Sequence, residues 1–181
     1  MTTLHIGTLS LPRALVNRLA SPLIASIGLG LASSSYFFLG NLACASVGVL
    51  PSFKAVHLEE EKKAELFAFF FEKAAFQFVA TSSISALSYF AAAYYAKPLH
   101  TSMRPWLLTA GICSISILPY TLFLMMPTNK TLLAARDRVV RKEYLHIKTQ
   151  QHVDTWSKLH LARMAAGGIS WAIGMATLIL I

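Results

Sequence analysis

Four long apolar segments, separated by polar ones, dominate the pattern of hydrophobic positions along the chain. They run from about residue 22 to 50, 74 to 96, 106 to 126 and 164 to 181. Each is close to the ~20 residues that a helix needs to cross the hydrocarbon core of a bilayer. The pattern therefore predicts an all-α fold, a four-helix transmembrane bundle, with residues 1–181 forming a single integral membrane domain.

The polar segments predict how these helices are extended. From His57 to Phe71 a Glu/Lys-rich face alternates with apolar positions, so the second helix should begin before its apolar segment. The last apolar segment is the shortest, so the fourth helix could likewise start earlier. Basic and apolar residues alternate from Leu132 to Tyr144, which favours an amphipathic helix on anionic lipid, in the loop between helices 3 and 4. Residues 1–21 are mildly amphipathic and are interpreted as an interfacial lead-in.

Two prolines mark the end of the third apolar segment. Pro119 lies inside the apolar run and removes a backbone donor there, so we expect a kink that makes room for a ligand. Beyond Pro127, either Thr128 or Asn129 is suited to be the N-cap of a helix from Lys130 to about residue 147.

The composition is typical of a membrane protein and disfavours some classes of membrane protein. The chain is 55% hydrophobic and 13% charged, whereas an ordinary soluble domain has roughly a quarter charged residues. The central part of each apolar segment lacks Asp, Glu, Lys and Arg. Ion pathways and proton relays normally need such charges, so a pump or an ion channel is disfavoured.

The net charge of +8 predicts an orientation in the membrane. Twelve of the 16 lysines and arginines fall in the first and third loops of a four-helix bundle, and four fall on the other side. By the positive-inside rule, both larger loops are then cytosolic, and we expect an intracellular membrane. Nucleic acid is a poor partner for so hydrophobic a chain.

One cluster of residues looks chemical. Trp156, His160 and Arg163 follow one another at spacings of four and three residues, which places them on one face of a helix. An aromatic plane, a proton-transfer group and a fixed cation could hold a flat, acidic, oily molecule. The alternative is that all three are ordinary interfacial side chains, with Arg163 anchored to lipid phosphate.

Five other polar side chains are second-rank candidates for substrate binding: Asn129, Tyr120, Asn41, Gln77 and Tyr36. Asn129 could bind a hydroxyl or a carbonyl group of a ligand, and Tyr120 could donate a hydrogen bond. Hydrogen bonds between helices explain buried amides equally well.

Other chemistries find little support in the sequence. Its histidines form no metal motif at helical spacing, and no dinucleotide or phosphate-binding loop follows a strand, so metal, flavin and nicotinamide sites are disfavoured. A haem held by His160 stays open, since one axial histidine makes no motif. Cys44 and Cys113 both lie in apolar segments and are expected to be free thiols.

The order and spacing of four short segments resemble those of the fungal anthrone oxygenases, small membrane proteins grouped under a domain of unknown function. The segments are Phe38-Leu39-Gly40-Asn41, Leu118-Pro119-Tyr120-Thr121-Leu122, Met125-Met126-Pro127-Thr128-Asn129-Lys130 and Trp156-x-x-x-His160-x-x-Arg163. The resemblance implies oxidation of an anthrone from an aromatic polyketide pathway to an anthraquinone by molecular oxygen. It also implies that no added cofactor is needed.

On this resemblance, the cluster acquires roles. An anthrone has a methylene group between two aryl rings and conjugated to a ketone, so loss of one proton gives a delocalised anion. His160 is then the candidate base, Arg163 the group that holds the anionic oxygen, and Trp156 the stacking surface. The expected partners are a small aromatic polyketide and the lipid bilayer, and the oligomeric state stays open. The alternatives are a noncatalytic protein that binds or scaffolds a hydrophobic ligand, and a haem-dependent variant of the same oxidation.

Overall fold

Four long helical stretches run side by side and form the body of the protein. The computed structural model describes residues 3–6, 9–12, 20–96, 101–144 and 148–181. Its helices are α1 (Pro22–Ser46), α2 (Val49–Ala55), α3 (Glu60–Tyr95), α4 (Arg104–Tyr120), α5 (Met126–Val140) and α6 (Thr149–Leu180). A 3-10 turn, Thr101–Met103, precedes α4, and a π-helix, Thr121–Met125, joins α4 to α5. The predicted four-helix bundle is confirmed.

A short two-stranded hairpin near the N-terminus was not expected from the sequence. Strand β1 (Thr3–Ile6) pairs antiparallel with β2 (Leu9–Pro12). Residues 1–2, 7–8 and 13–19 of the predicted interfacial lead-in lie outside the described residues, and so do residues 97–100 between α3 and α4.

Three stretches of helix among the described residues are long and apolar enough to cross a membrane: Pro22–Lys54, Arg104–Val140 and Thr149–Leu180. Helix α3 is 36 residues long, but its serines, tyrosines and Gln77 lower its hydropathy, so its crossing stays a prediction. Helices α3 and α6 both begin well before their apolar segments, as the sequence predicted. At 1.5 Å per residue they are longer than a ~30 Å hydrocarbon core, so the bundle continues beyond the membrane.

The helix around Pro119 and Asn129 differs from the prediction. The chain stays helical from Arg104 through the π-helix to Val140, so Asn129 lies inside α5 and the predicted N-cap is wrong. Pro127 is tolerated because it occupies the first turn of α5, after the π-helix has already loosened the regular hydrogen bonding. The Thr121 hydroxyl donates to the Ile117 carbonyl at 2.7 Å and satisfies part of the disturbed backbone.

Helix α5 is amphipathic, but it packs on the bundle. Leu132 and Ala135 are buried among α3 and α6. The helix ends earlier than residue 147 because Lys142 adopts a left-handed backbone conformation, with φ of 57°, and its amide bonds back to the Val139 carbonyl. An ion pair of 2.7 Å between Arg136 and Glu72 ties α5 to α3.

Hydroxyl groups connect three helices in the apolar half of the bundle. The Ser114 hydroxyl lies 3.0 Å from that of Ser85 and 2.7 Å from that of Ser170. Ser170 in turn donates to the Ala110 carbonyl at 3.0 Å. These bonds join α3, α4 and α6 where the surroundings offer no water, and such contacts are a usual means of holding membrane helices together.

The polar half of the bundle fixes the start of α6. The Gln150 amide donates to the Glu60 carboxylate at 3.0 Å, and Lys63 pairs with the same carboxylate at 2.8 Å. Partial burial raises the pKa of Glu60, but the hydrogen bonds from Lys63 and Gln150 outweigh this effect and hold the pKa below its usual value. Glu60 therefore stays ionised and anchors the turn of α6 that precedes Trp156.

Candidate active site

A cavity of about 280 Å³ lies between the helices where the π-helix joins α4 to α5. Its walls come from α1, α3, α4, α5 and α6 and are mostly aromatic and aliphatic. The lining residues are Phe37, Phe70, Phe71, Ala74, Ala75, Phe78, Val79, Ile117, Leu118, Thr121, Leu122, Met126, Trp156 and Arg163. We call this space the Arg163 cavity, since Arg163 is the one charged residue among them. Its volume is near the lower end of the range for small-molecule sites.

The guanidinium of Arg163 lies in surroundings that normally exclude charge. The residue is 9% exposed, and its Cζ atom lies 5.9 Å from the ring centroid of Phe37 and 5.8 Å from that of Phe78. Over the described part of the chain, no carboxylate forms an ion pair with it. A buried charge is costly without a partner, and in a membrane helix it indicates a functional site.

Two neutral side chains fix the guanidinium without neutralising it. Its Nη2 atom donates to Oδ1 of Asn41 at 3.1 Å and to Nδ1 of His160 at 3.0 Å. Asn41 is completely buried, and its own amide donates to the Phe37 carbonyl. Both hydrogens of Nη2 are thus used. Within the described residues, no acceptor pairs with Nε or Nη1 of Arg163. Nε is enclosed by protein atoms, so Nη1 is the donor left for a ligand.

The hydrogen bond from Arg163 also determines the tautomer and the charge of His160. A guanidinium can only donate, so Nδ1 of His160 must supply a lone pair and the proton must lie on Nε2. A second positive charge beside Arg163 would be unfavourable, so His160 is neutral. It is completely buried and lies behind Arg163, since it does not line the cavity.

Trp156 joins this group to the aromatic wall of α3. Its ring stacks on the imidazole of His160, with centroids 4.8 Å apart and planes 20° apart. It also meets the rings of Phe67 and Phe70 edge to face, at 5.5 and 6.2 Å. Trp156 lines the cavity and is 3% exposed. A run of contacts therefore crosses the bundle from α3 through α6 to α1 and ends at Asn41.

Tyr120 and Asn129 lie near this group but outside the cavity lining. The Tyr120 hydroxyl donates to the Leu159 carbonyl at 3.0 Å and fixes α4 against α6 one turn before Arg163. Asn129 is buried beside Leu132 of α5 and Met125, the last residue of the π-helix, and both of these are neighbours of Trp156 in the core. Its Oδ1 atom has no partner among the described residues.

Tyr36 and Gln77 do not join the cluster. The Tyr36 hydroxyl donates to Oε1 of Gln77, and both residues line a separate, more open groove of about 760 Å³ between α1 and α3. We call this second space the α1–α3 groove. The structure thus brings Trp156, His160, Arg163 and Asn41 together and places Tyr36 and Gln77 elsewhere.

Sequence reasoning missed the role of the phenylalanines. The sequence indicated no role for Phe37 and Phe78, yet both lie against the Arg163 guanidinium and their ring centroids are 5.6 Å apart. One signal was available. Phe37 and Asn41 are four residues apart on α1, so the aromatic ring and the amide share a face of that helix.

The fold and the cavity together define a helical membrane protein with a small, dry aromatic site around one cation. The chain belongs to the anthrone oxygenase family, whose family model matches residues 67–173, more than half of the sequence. It is therefore an oxygenase-family membrane protein. The matched region includes Trp156, His160 and Arg163, whereas Phe37 and Asn41 lie before it. Comparisons with curated proteins and with solved structures gave no match.

Proposed function

We propose that this protein oxidises an anthrone-type aromatic polyketide to an anthraquinone with molecular oxygen, in the Arg163 cavity and without an added cofactor. The observation that carries the proposal is the buried guanidinium, which lies in an aromatic cavity without a carboxylate partner among the described residues. An anthranolate supplies the negative partner that the Arg163 guanidinium lacks. It also fits the aromatic cavity, because it is flat and apolar and carries its negative charge largely on one oxygen.

Arg163 acts first by selecting the ionised substrate. A fixed positive charge in a poorly solvated cavity favours the anionic form of a bound phenol or enol. The Nη1 group of Arg163, which has no acceptor among the described residues, binds the anionic oxygen, while the rings of Phe37, Phe78 and Trp156 surround the tricyclic system. The methylene proton passes to solvent water before the anion enters the cavity, and a proton returns from solvent when the hydroperoxide forms.

Oxidation then needs only oxygen and the electron-rich anion. The anthranolate passes one electron to O₂, and the two radicals combine at the former methylene carbon to give a peroxide. After protonation the hydroperoxide loses water and leaves a ketone. One CH₂ group and one O₂ thus become one C=O group and one H₂O. The apolar walls keep bulk water away from the intermediates.

His160 is assigned a positioning role in this proposal. Its Nδ1 atom, the only lone pair available to take a proton, accepts the bond from Arg163. Its imidazole stacks on Trp156 and accepts the hydrogen bond from the guanidinium at Nδ1, so these contacts hold Arg163 in place. Nδ1 is used by Arg163 and Nε2 is buried, so neither ring nitrogen of His160 is open for an axial bond to haem. Asn41 holds the same guanidinium from the opposite helix.

The membrane orientation is part of the proposal. Helices α3, α5 and α6 carry eight of the 16 lysines and arginines, and α2 and the segment between α5 and α6 add four more. The positive-inside rule then favours a cytosolic position for the larger loops. The substrate reaches an intracellular membrane from the polyketide pathway and partitions into the bilayer.

Turnover by the purified protein tests this function. In detergent, with a hydroxyanthrone and air alone, we expect quinone to form faster than by spontaneous autoxidation, with one O₂ consumed per quinone. Isotopically labelled O₂ should deliver one oxygen atom to the new carbonyl. Rates equal to those of heat-denatured protein would falsify the proposal. Retention of the aromatic compound without turnover would favour a noncatalytic binding protein, and activity that follows a copurified haem band would favour the haem-dependent alternative.

Two substitutions at His160 separate positioning from base catalysis. In His160→Asn, Oδ1 can take the place of Nδ1 and accept the bond from Arg163, so kcat should stay within about tenfold of the wild type. In His160→Phe the acceptor is lost, and misplacement of Arg163 should lower kcat by on the order of 10². His152→Asn, on the same helix, is the matched control. If His160 were the base, both variants at position 160 would lose roughly 10²–10⁴ in kcat.

A further inference from the structure

The α1–α3 groove and the Arg163 cavity are separated by a single row of side chains. Phe70, Ala74 and Phe78 line both spaces. They follow one another at intervals of four residues, so they form one stripe along α3, with the small alanine between two rings. The thinnest part of the wall is therefore at Ala74.

The groove carries hydrogen-bond donors beside its aromatic surface. Phe69, Lys73 and Gln77 form a second stripe along α3 at the same spacing, and all three line the groove. Oε1 of Gln77 accepts the Tyr36 hydroxyl, which leaves the amide nitrogen to donate. Among the described residues, no carboxylate pairs with Lys73. An ammonium, an amide and three phenylalanine rings suit a polycyclic molecule with phenol and carbonyl oxygens.

We infer that the α1–α3 groove is a second binding site for a polycyclic phenol, from which the ligand passes Ala74 into the Arg163 cavity. The identity of the ligand rests on the proposed function. The groove is larger and more open than the cavity, so the ligand occupies the groove before it reaches Arg163 in the cavity. Small shifts of the Phe70 and Phe78 rings open the wall between the two spaces.

Native cysteines provide a direct test of occupancy. Cys44 lines the groove, whereas Cys113, the other cysteine of the chain, lines neither space. In a Cys113→Ser background in phosphatidylcholine nanodiscs, dihydroxyanthraquinone should slow alkylation of Cys44 by an apolar maleimide several-fold. The same slowing should persist in Arg163→Gln, in which the anion site of the cavity is removed. Cys44→Ser protein, labelled at Cys113, is the control and should not respond to the probe.

A second test blocks the groove and makes only an ordinary contact with the wall that the two spaces share. Gly40 lines the groove, and a Cβ atom there would lie 3.6 Å from a ring carbon of Phe78, an ordinary contact. Gly40→Leu should slow association and dissociation of dihydroxyanthraquinone by on the order of tenfold each, with the Kd little changed. Gly28→Leu, in open space on the same helix, is the matched control.

The outcomes separate this inference from the proposed function. Unprotected Cys44 together with unchanged binding rates in Gly40→Leu would overturn the groove site, even if the protein turns over hydroxyanthrone. Protection of Cys44 together with slower exchange in Gly40→Leu would support the site, even if turnover fails. Protection with unchanged rates would leave a binding groove that is not the route to the cavity and would overturn the route.

Discussion

Replacing Arg163 by glutamine is expected to lower kcat for hydroxyanthrone oxidation by roughly 10²–10³, the usual effect of removing a donor that stabilises an oxyanion. The glutamine side chain keeps polarity and some length but loses the charge that favours the anthranolate. Arg163→Lys should recover part of the rate, because it restores the charge. It cannot restore the planar fork that bonds Asn41 and His160 from one nitrogen.

Several measurements make this result specific. Quinone formation is followed by absorbance in detergent, and size-exclusion behaviour and thermal unfolding show whether each variant is folded. Arg138→Gln, a change of an exposed arginine on α5, is the matched control and should retain wild-type kcat. Wild-type kcat in folded Arg163→Gln protein would limit Arg163 to a structural role. A loss confined to KM would show that it binds substrate without stabilising the anion.

The identity of the cation could be predicted from the sequence, but its partners could not. Trp156, His160 and Arg163 share a helical face by spacing alone, and that prediction needs no tertiary information. The contact between Arg163 and Asn41 joins residues 122 positions apart, and nothing local signals it. The role of His160 was also beyond the sequence, because it depends on which ring nitrogen meets the guanidinium. A histidine with a free Nδ1 would have remained a good base.

In the helix that carries Asn129, local sequence rules predicted a backbone that tertiary packing overrides. Local rules for proline and asparagine predicted a kink at Pro119 and a new helix start near Asn129. The chain instead continues as a π-helix from Thr121 to Met125, because packing of α4 and α5 against α3 and α6 favours an unbroken rod. The wider π-turn contributes Thr121 and Leu122 to the cavity wall. The sequence therefore predicted a cavity near Pro119, but a π-helix and not a kink forms it.

Gly174→Ala is expected to destabilise the bundle more than any other single methyl group added on α6. A Cβ atom at Gly174 would lie 1.9 Å from the Tyr89 hydroxyl oxygen and 2.8 Å from the adjoining ring carbon. Tyr89 is completely buried, and its hydroxyl lies 3.1 Å from that of Ser34. Overpacking of this kind usually costs about 1–3 kcal/mol of unfolding free energy, and the short distance places this variant at the upper end.

Glycines of two helices pack against Tyr89, which is why the cost should be high. A Cβ atom at Gly30 would already lie 2.9 Å from a ring carbon, so α1 and α6 both approach the tyrosine through glycine. Gly28→Ala is the matched control, since nothing lies within 4 Å of its added methyl group. It should leave stability unchanged or raise it by up to ~1 kcal/mol, because alanine favours the helix.

A double-mutant cycle shows whether the clash with Tyr89 is the cause. Tyr89→Leu removes the hydroxyl and the ring edge, so adding Gly174→Ala in that background should cost much less than in the wild type, as measured by thermal unfolding in detergent. Equal costs in both backgrounds would assign the effect to the helix itself. Because Tyr89 and Gly174 lie outside the Arg163 cavity lining, the folded fraction of Gly174→Ala should keep its kcat. Loss of stability with retained turnover would then separate the residues that hold the bundle together from those that hold the anion.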